Sequence, residues 1–570
     1  MIQTIILFLG VLIILTILVN KSKLVRNMLL ISDEDFEMDG TIPIGTVIKK
    51  VIVFFVLCLV LSLVISYFTK WKGIEPYHIV FFIWGMAFLG AIIKKVKKSQ
   101  ETSFEADPDS FVFRVQGDMP RLVLNNPYRG IFVSGGAGAG KSKSLIEPII
   151  QQAGAKGFSG IVYDFKFPTL AKEVAGSYAE SNVKPYYINF TDLSRSHLIN
   201  PIAPEYISNA TFARESAITI LTNIDAKAVE KRDFWIQSAE SLLTGVIWYL
   251  RNNHPDHCTL PHAVSLIIEI APKKLIEILS TDEEVSGIIA SLRSAQDSEN
   301  TLAGMFASVQ NYLSILNTKE NFWVLHKSEF SLKLNDPEAP KMLVVGNNDQ
   351  ISKSLSPIIA LIISTALKQM NQEGVAKSVV ILDEAPTINI PNFAQIPATA
   401  RSNKIATVYA VQDIAQMEAD LGKQESEKIL ANLNSQFYGR TTNTATAERV
   451  SKLFGEYEKE ILTRSEGKGN SVEILGERER SKNRGISSTT QLRKVLEPAE
   501  MSRVGVGQFA CILAESNTTE FIGQFNAEPS KRIEIAPFSS VTDEKLRQNF
   551  RRIKEESRLL MESPKEGINL

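Results

Sequence analysis

The residues with the plainest chemical purpose are Gly135, Gly136, Ala137, Gly138, Ala139, Gly140, Lys141 and Ser142. They fill the pattern G-x-x-x-x-G-K-[ST] at every fixed position. Glycine and alanine let successive backbone N–H groups converge on phosphate without side-chain obstruction. The helix that follows adds the positive end of its dipole. Lys141 is expected to reach the β- and γ-phosphates of ATP, and the Ser142 hydroxyl to ligate Mg²⁺. The flanks suit the motif, because Ile131-Phe132-Val133 reads as a strand before the loop and Leu145-Ile146 as the start of a helix after it. A glycine-rich turn matching by chance would need neither flank. A partner acid is expected at the end of another buried strand, and Val379-Val380-Ile381-Leu382 delivers Asp383 and Glu384. Asp383 is expected to hold the magnesium through water and Glu384 to polarise the attacking water. The competing reading of these two acids is a cap for a helix opened by Pro386.

Such residues need a rigid frame, and the sequence around them reads as one. Short apolar stretches at 130–134, 160–164, 341–346, 378–383, 405–411, 436–440 and 508–513 each end in polar residues or glycine. Continuous runs of this kind, separated by helical patterns, predict buried strands of a parallel sheet in an α/β architecture. Residues 205–330 differ. Phe234-Trp235, Ala239, Leu242-Leu243, Val246 and Tyr249-Leu250 recur at helical spacing there, which predicts an all-α domain inserted into the α/β domain. The resulting division is a membrane region at 1–98, a nucleotide-binding domain at 99–204 and 331–540, the insert at 205–330, and a tail at 541–570. Within it, 99–128 reads as a linker or lead-in and 463–490, rich in Ser, Gly, Glu and Arg, as a mobile loop. The tail reads as a charged helix whose Leu546, Phe550, Ile553 and Leu559-Leu560 share a face, docking either a partner or its own domain.

The N-terminal region is unlike a globular domain. Apolar runs at 2–19, 51–68 and 77–93 are each close to the roughly 20 residues needed to cross the hydrocarbon. Lys21, Lys23, Arg26, Lys49 and Lys50 lie between the first two runs, and Lys94, Lys95, Lys97 and Lys98 follow the third, against only Lys70 and Lys72 in the short turn at 69–76. The positive-inside rule then puts residues 20–50 and everything after 93 on the cytoplasmic side of the membrane, and later residues are expected to be soluble. Elsewhere charge excludes more than it assigns. With 62 basic and 63 acidic side chains the chain is not basic overall, so any nucleic-acid surface must be local. Cys58, Cys258 and Cys511 are too few and too scattered for a disulfide framework.

Two weaker clusters remain. His254, His257, Cys258 and His262 have the residue types of a zinc site, but Pro255 and Pro261 interrupt them and a polar inter-helix loop is the plainer reading. Arg464, Lys468, Arg478, Arg480, Lys482 and Arg484 could meet phosphate backbone, yet Glu466, Glu473, Glu477 and Glu479 interleave them, which favours a solvated loop.

The order of several blocks resembles the type IV secretion coupling proteins of the TraG/TraD kind, over about residues 129–525. Beyond the two site motifs, these are Tyr163-Asp164-Phe165-Lys166 with Thr169, where Phe165 stands for the family's proline and Phe167-Pro168 for its Gly-Glu. They continue with Asn200-Pro201-Ile202, Phe234-Trp235 with Ala239 and Leu242-Leu243, Leu382-Asp383-Glu384-Ala385-Pro386, Gln412-Asp413-Ile414-Ala415-Gln416-Met417, and Arg484 to Leu513. The resemblance implies a RecA-like P-loop NTPase domain and an ATPase that hands single-stranded DNA with its relaxase, or protein substrates, to a secretion channel. It also implies a membrane-bound homo-hexamer. In such a ring Gln412 would sense the γ-phosphate, while Arg401 and Arg129 would reach a neighbour's nucleotide; an ordinary surface ion pair is the alternative for each arginine. A duplex-DNA pump of the FtsK/HerA type and a nucleotide-gated receptor with little turnover are the competing functions. The helical insert disfavours the first and the intact Glu384 the second.

Overall fold

The computed structural model describes residues 106–117, 121–470 and 480–562, all within the compact unit Phe104–Leu570. The three N-terminal apolar runs lie outside the described residues, and no helix among the described residues is long and apolar enough to cross a membrane. In chain order the strands are β1 Phe111–Arg114, β2 Arg121–Leu124, β3 Ile131–Ser134, β4 Ser159–Asp164, β5 Lys184–Ile188, β6 Lys341–Gly346 and β7 Ser378–Leu382. They continue with β8 Ile405–Val411, β9 Ser435–Tyr438, β10 Glu456–Asn470, β11 Arg480–Lys494, β12 Gln508–Ile512 and β13 Glu520–Gln524.

One nine-stranded sheet organises the unit, in the order β13-β12-β9-β3-β8-β7-β4-β6-β5. From β9 to β5 every neighbouring pair is parallel, while β12 and β13 extend the β9 edge in antiparallel fashion. The central strands are buried along their whole length because both faces are covered, which is why they read as unbroken apolar runs. Alternate residues of one strand enter different cores: Ile161 and Tyr163 of β4 face one cluster, Val162 the other. Each expected strand is present. Six more were not read from the sequence: β1 and β2, which pair with each other inside the expected linker, the peripheral β5 and β13, and the paired β10 and β11. The loop expected at 463–490 is corrected at 463–470 and 480–490, where β10 and β11 make a long antiparallel arm that is a two-stranded sheet of its own, while 471–479 lie outside the described residues.

Between β5 and β6 the chain holds only helices and short turns, from Ala210–Ile224 to Lys319–Leu325. The long helix Phe234–Asn253 is started by Asp233, whose carboxylate accepts the Ile236 N–H, and it buries Ala239, Leu242, Leu243, Val246 and Leu250 completely. Phe234 and Trp235 were read as part of that buried face, but the structure leaves them 51% and 43% exposed, because they lie in the first turn of the helix, before its buried stretch begins. The helical segment and one face of the sheet share a continuous apolar core. The C-terminal helix Asp543–Leu560 docks on this same segment. Phe550 packs against Phe322 at 4.8 Å, Ile553 is fully buried, and Glu269 receives Lys554 at 2.7 Å and Arg558 at 2.8 Å.

Candidate nucleotide-binding site

The parallel register brings the C-terminal ends of β3, β8 and β7 together, with β8 in the middle. The glycine-rich loop leaves β3, Gln412 leaves β8, and Asp383 and Glu384 leave β7. This is the crevice at the carboxyl ends of an open parallel sheet where ligands bind. Glycine is required twice in the loop. Gly138 has φ +76 with open space above it, and Gly140 has φ +95 with only 2.7 Å between a would-be Cβ and the Gly507 nitrogen. The Gly507 N–H donates to Ala139 O at 2.9 Å, and the Gly136 N–H donates to Arg440 O at 2.9 Å. Two segments far along the chain therefore hold the loop in shape, and neither was legible in the sequence.

Lys141 is buried and donates to Gly135 O, and its ammonium lies 3.5 Å from Glu384 Oε1. Glu384 adopts the left-handed conformation at φ 51, which is strained for a residue with a Cβ. That backbone turns the chain off β7 and lets successive acids serve different partners. The Asp383 N–H donates to Tyr163 O at 3.2 Å. Burial first, then the negative charges of Glu384 and Asp164, push the Asp383 carboxyl up to about 7, against Lys141 and Lys166. Asp164 ends β4, is buried, and accepts the Leu170 and Ala171 N–H groups at 2.8 and 2.9 Å, so it caps the helix Thr169–Ser177. Burial pushes it up to about 6 despite those bonds. Lys141 thus pairs with Glu384 and lowers Asp383, while Asp164 adds its charge to Asp383 from β4. Gln412 is half-buried at the end of β8, and Asp413 beside it caps the helix Ile414–Leu421.

Arg129 and Arg401 are not at this crevice in their own chain. Each precedes the N-terminal end of its strand, β3 or β8, whereas the phosphate loop and Gln412 follow the C-terminal ends. Even the four residues of β3 put about 13 Å between the two edges. Both arginines converge instead on Glu515, Arg129 through a close ion pair and Arg401 at 3.8 Å. Burial alone would raise the Glu515 carboxyl, but bonds from Asn126 and Arg129 and the charges of both arginines hold it below the usual range. Glu515, itself at φ 51, is a shared partner of the two arginines that the sequence did not reveal.

The histidine–cysteine cluster is also rearranged. Cys258 is fully buried, its thiol turned to Ile202 O at 3.2 Å and pushed up to about 12 by burial. His257 and His262 instead meet Glu556 of the C-terminal helix. Burial outweighs the pull of Glu556 and pushes His262 down to about 4, leaving a neutral ring.

A complete phosphate loop at the carboxyl edge of a mostly parallel sheet, with an acid pair one strand removed, defines a P-loop NTPase domain. Residues 377–505 match the family described as the TraM recognition site of TraD and TraG. The bacterial conjugative coupling protein TrwB, in its unbound monoclinic form lacking 70 N-terminal residues, superposes with a TM-score of 0.57 at 15% identity over 77% of this chain and 93% of that one. TrwB in complex with ADP and Mg²⁺ gives 0.54 at 17% identity over 77% and 95%, and TrwB with a non-hydrolysable ATP analogue 0.55 at 16% over 78% and 94%. No curated protein sequence matches. Residues 377–505 therefore carry a segment similar to the TraD and TraG family, within a fold shared with the TrwB structures.

Proposed function

We propose that this chain is a membrane-anchored ATPase that couples DNA–protein substrates to a type IV secretion channel during conjugation. The observation that carries the reading is Lys141 of the phosphate loop facing Glu384 at 3.5 Å across the sheet edge, in a chain with the TraG/TraD segment. Lys141 and the backbone from Gly135 to Ser142 hold the phosphates. Ser142 and Asp383 would hold Mg²⁺, which would screen phosphate charge. Glu384 orients and deprotonates the attacking water, moving away from Lys141 as phosphate takes the ammonium. Gln412, between loop and acid, reads the γ-phosphate. Arg129 and Arg401 act on a neighbour's nucleotide in a homo-hexamer. ATP rather than GTP as the fuel, single-stranded DNA with relaxase as cargo, and anchoring of the N-terminal runs in a bacterial inner membrane belong to the same reading.

ATP turnover with and without single-stranded DNA tests it. Lys141→Ala should abolish hydrolysis, and Glu384→Gln should keep ATP binding while losing turnover by about 100-fold or more. Normal turnover in Glu384→Gln sinks the assignment. For the anchor, a cysteine in the 69–76 turn, on a Cys58→Ser background, should react with a membrane-impermeant thiol reagent from outside, and one at Lys98 should not. The reverse pattern rules out a cytoplasmic motor.

A further inference from the structure

We propose that His257, His262 and Glu556 form a zinc site that fastens the C-terminal helix to the helical segment. The three side chains offer one ligand atom each, and those atoms all lie within 4.8 Å of one another. Two imidazoles and a carboxylate are a familiar zinc ligand set, with the fourth position left to water. Zinc bonded at about 2.0–2.1 Å to each ligand needs them about 3.4 Å apart. His262 Nε2 and Glu556 Oε2 already stand at 3.2 Å, so the remaining closure falls to the half-buried His257. Its ring stands edge-on to that of His262 at 5.0 Å between centroids.

A histidine–carboxylate hydrogen bond alone would account for one imidazole but not for the second converging on it. The outer partners also fit a metal. Thr259 Oγ1 lies 2.7 Å from His262 Nδ1, which fixes the ring and aims Nε2 at Glu556. Arg552 binds the other carboxylate oxygen, Glu556 Oε1, at 3.2 Å, which leaves Oε2 for the ion. Cys258 takes no part, since its thiol is turned into the core. The ligands come from two parts of the chain nearly 300 residues apart, so an ion here would cross-link the tail helix to the segment it covers.

The test uses the full-length chain in detergent, stripped with chelator and dialysed against zinc chloride. Metal analysis should find one zinc per chain, and His257→Gln, His262→Ala and Glu556→Gln should each weaken binding by more than about tenfold. Cys258→Ser, which keeps a donor to Ile202 O, should bind zinc as the parent does. Zinc should also slow hydrogen exchange across 543–560 in the parent and leave it unchanged in His257→Gln. That residue is partly exposed, so this variant guards against misreading a folding defect, and its nucleotide binding should be intact. No zinc uptake, or equal uptake by parent and all three ligand variants, overturns the proposal. Uptake without a change in exchange of the tail overturns the fastening role.

Discussion

Asp383 shows how a carboxylate at the candidate site is tuned by what surrounds it. Its carboxyl sits at about 7 when folded, against an ordinary value of 3.8, because it is buried beside Glu384 and Asp164. Between those two pH values the folded, nucleotide-free chain holds a proton that the unfolded chain has released, so folding stability is greatest at the acid end and falls as pH rises through about 7. Asp383→Asn should remove that slope. Thermal unfolding of nucleotide-free protein at pH 5.5 and pH 8 should show a loss on the order of 2 kcal/mol in the parent that is largely absent in the variant. An equal loss in both chains would mean that Asp383 is not the group responsible. The glycines give a second test. Gly140→Ala meets both the left-handed φ and a 2.7 Å contact, while Gly138→Ala meets only the φ. Binding of a fluorescent ATP analogue should fall below detection in the first, and by no more than roughly 5- to 30-fold in the second, where strain of about 1–2 kcal/mol is the whole penalty. Equal losses would show that the Gly507 contact does not matter. The difference between the two glycines marks the limit of sequence reading. Gly135 to Ser142, Asp383 and Glu384 were legible because their chemistry is contiguous along the chain. Gly507 and Glu515 were not, and Asp164 was read only as part of a family block, because they matter for what folding sets beside them; Glu515 is 386 residues from Arg129.

At the scale of elements, burial on two faces made strands legible and exposure hid them. β4, β7 and β8 are wholly buried and read as apolar runs, whereas β5 opens with exposed Lys184 and half-buried Pro185, and β13 is mostly exposed or half-buried. The β10–β11 arm was hidden for a different reason. Its polar, charged sequence carries no alternation because it pairs only with itself and joins no other sheet. Such an arm adds little to the stability of the main sheet. Replacing 463–487 with a short turn should therefore leave the unfolding midpoint within about 2 °C of the parent, a change under about 1 kcal/mol, and should leave nucleotide binding intact. A drop of many degrees in differential scanning calorimetry would mean that the arm braces the sheet. The arm lies inside the segment matched to the TraM recognition family, so the same truncation is the natural place to look for loss of a protein partner.

At the scale of the whole molecule, the two arginines decide whether the site is complete in one chain. Arg129 and Arg401 stand at the opposite edge of the sheet from their own phosphate loop and share Glu515 there, so neither reaches the nucleotide bound in the same chain. A guanidinium at that edge stabilises phosphoryl charge only if another subunit presents its loop to it, which a head-to-tail ring does at each interface. The expectation is that Arg401→Ala and Lys141→Ala chains are each nearly inactive alone yet recover hydrolysis when mixed. Random mixing in equal amounts gives about a quarter of interfaces an intact loop facing an intact arginine. Glu515→Gln separates this from a merely structural pair. If the shared carboxylate only ties two surface side chains together, removing its charge should cost no more than about 1 kcal/mol of stability and leave turnover alone. If it aims both arginines across the interface, kcat should fall while ATP binding and folding are kept. The mixing should use full-length chains in lipid or detergent, with assembly followed by light scattering. Assembled mixtures without recovery, together with normal turnover in Glu515→Gln, would reduce Arg129, Arg401 and Glu515 to an ion-pair cluster and leave each chain to hydrolyse ATP by itself.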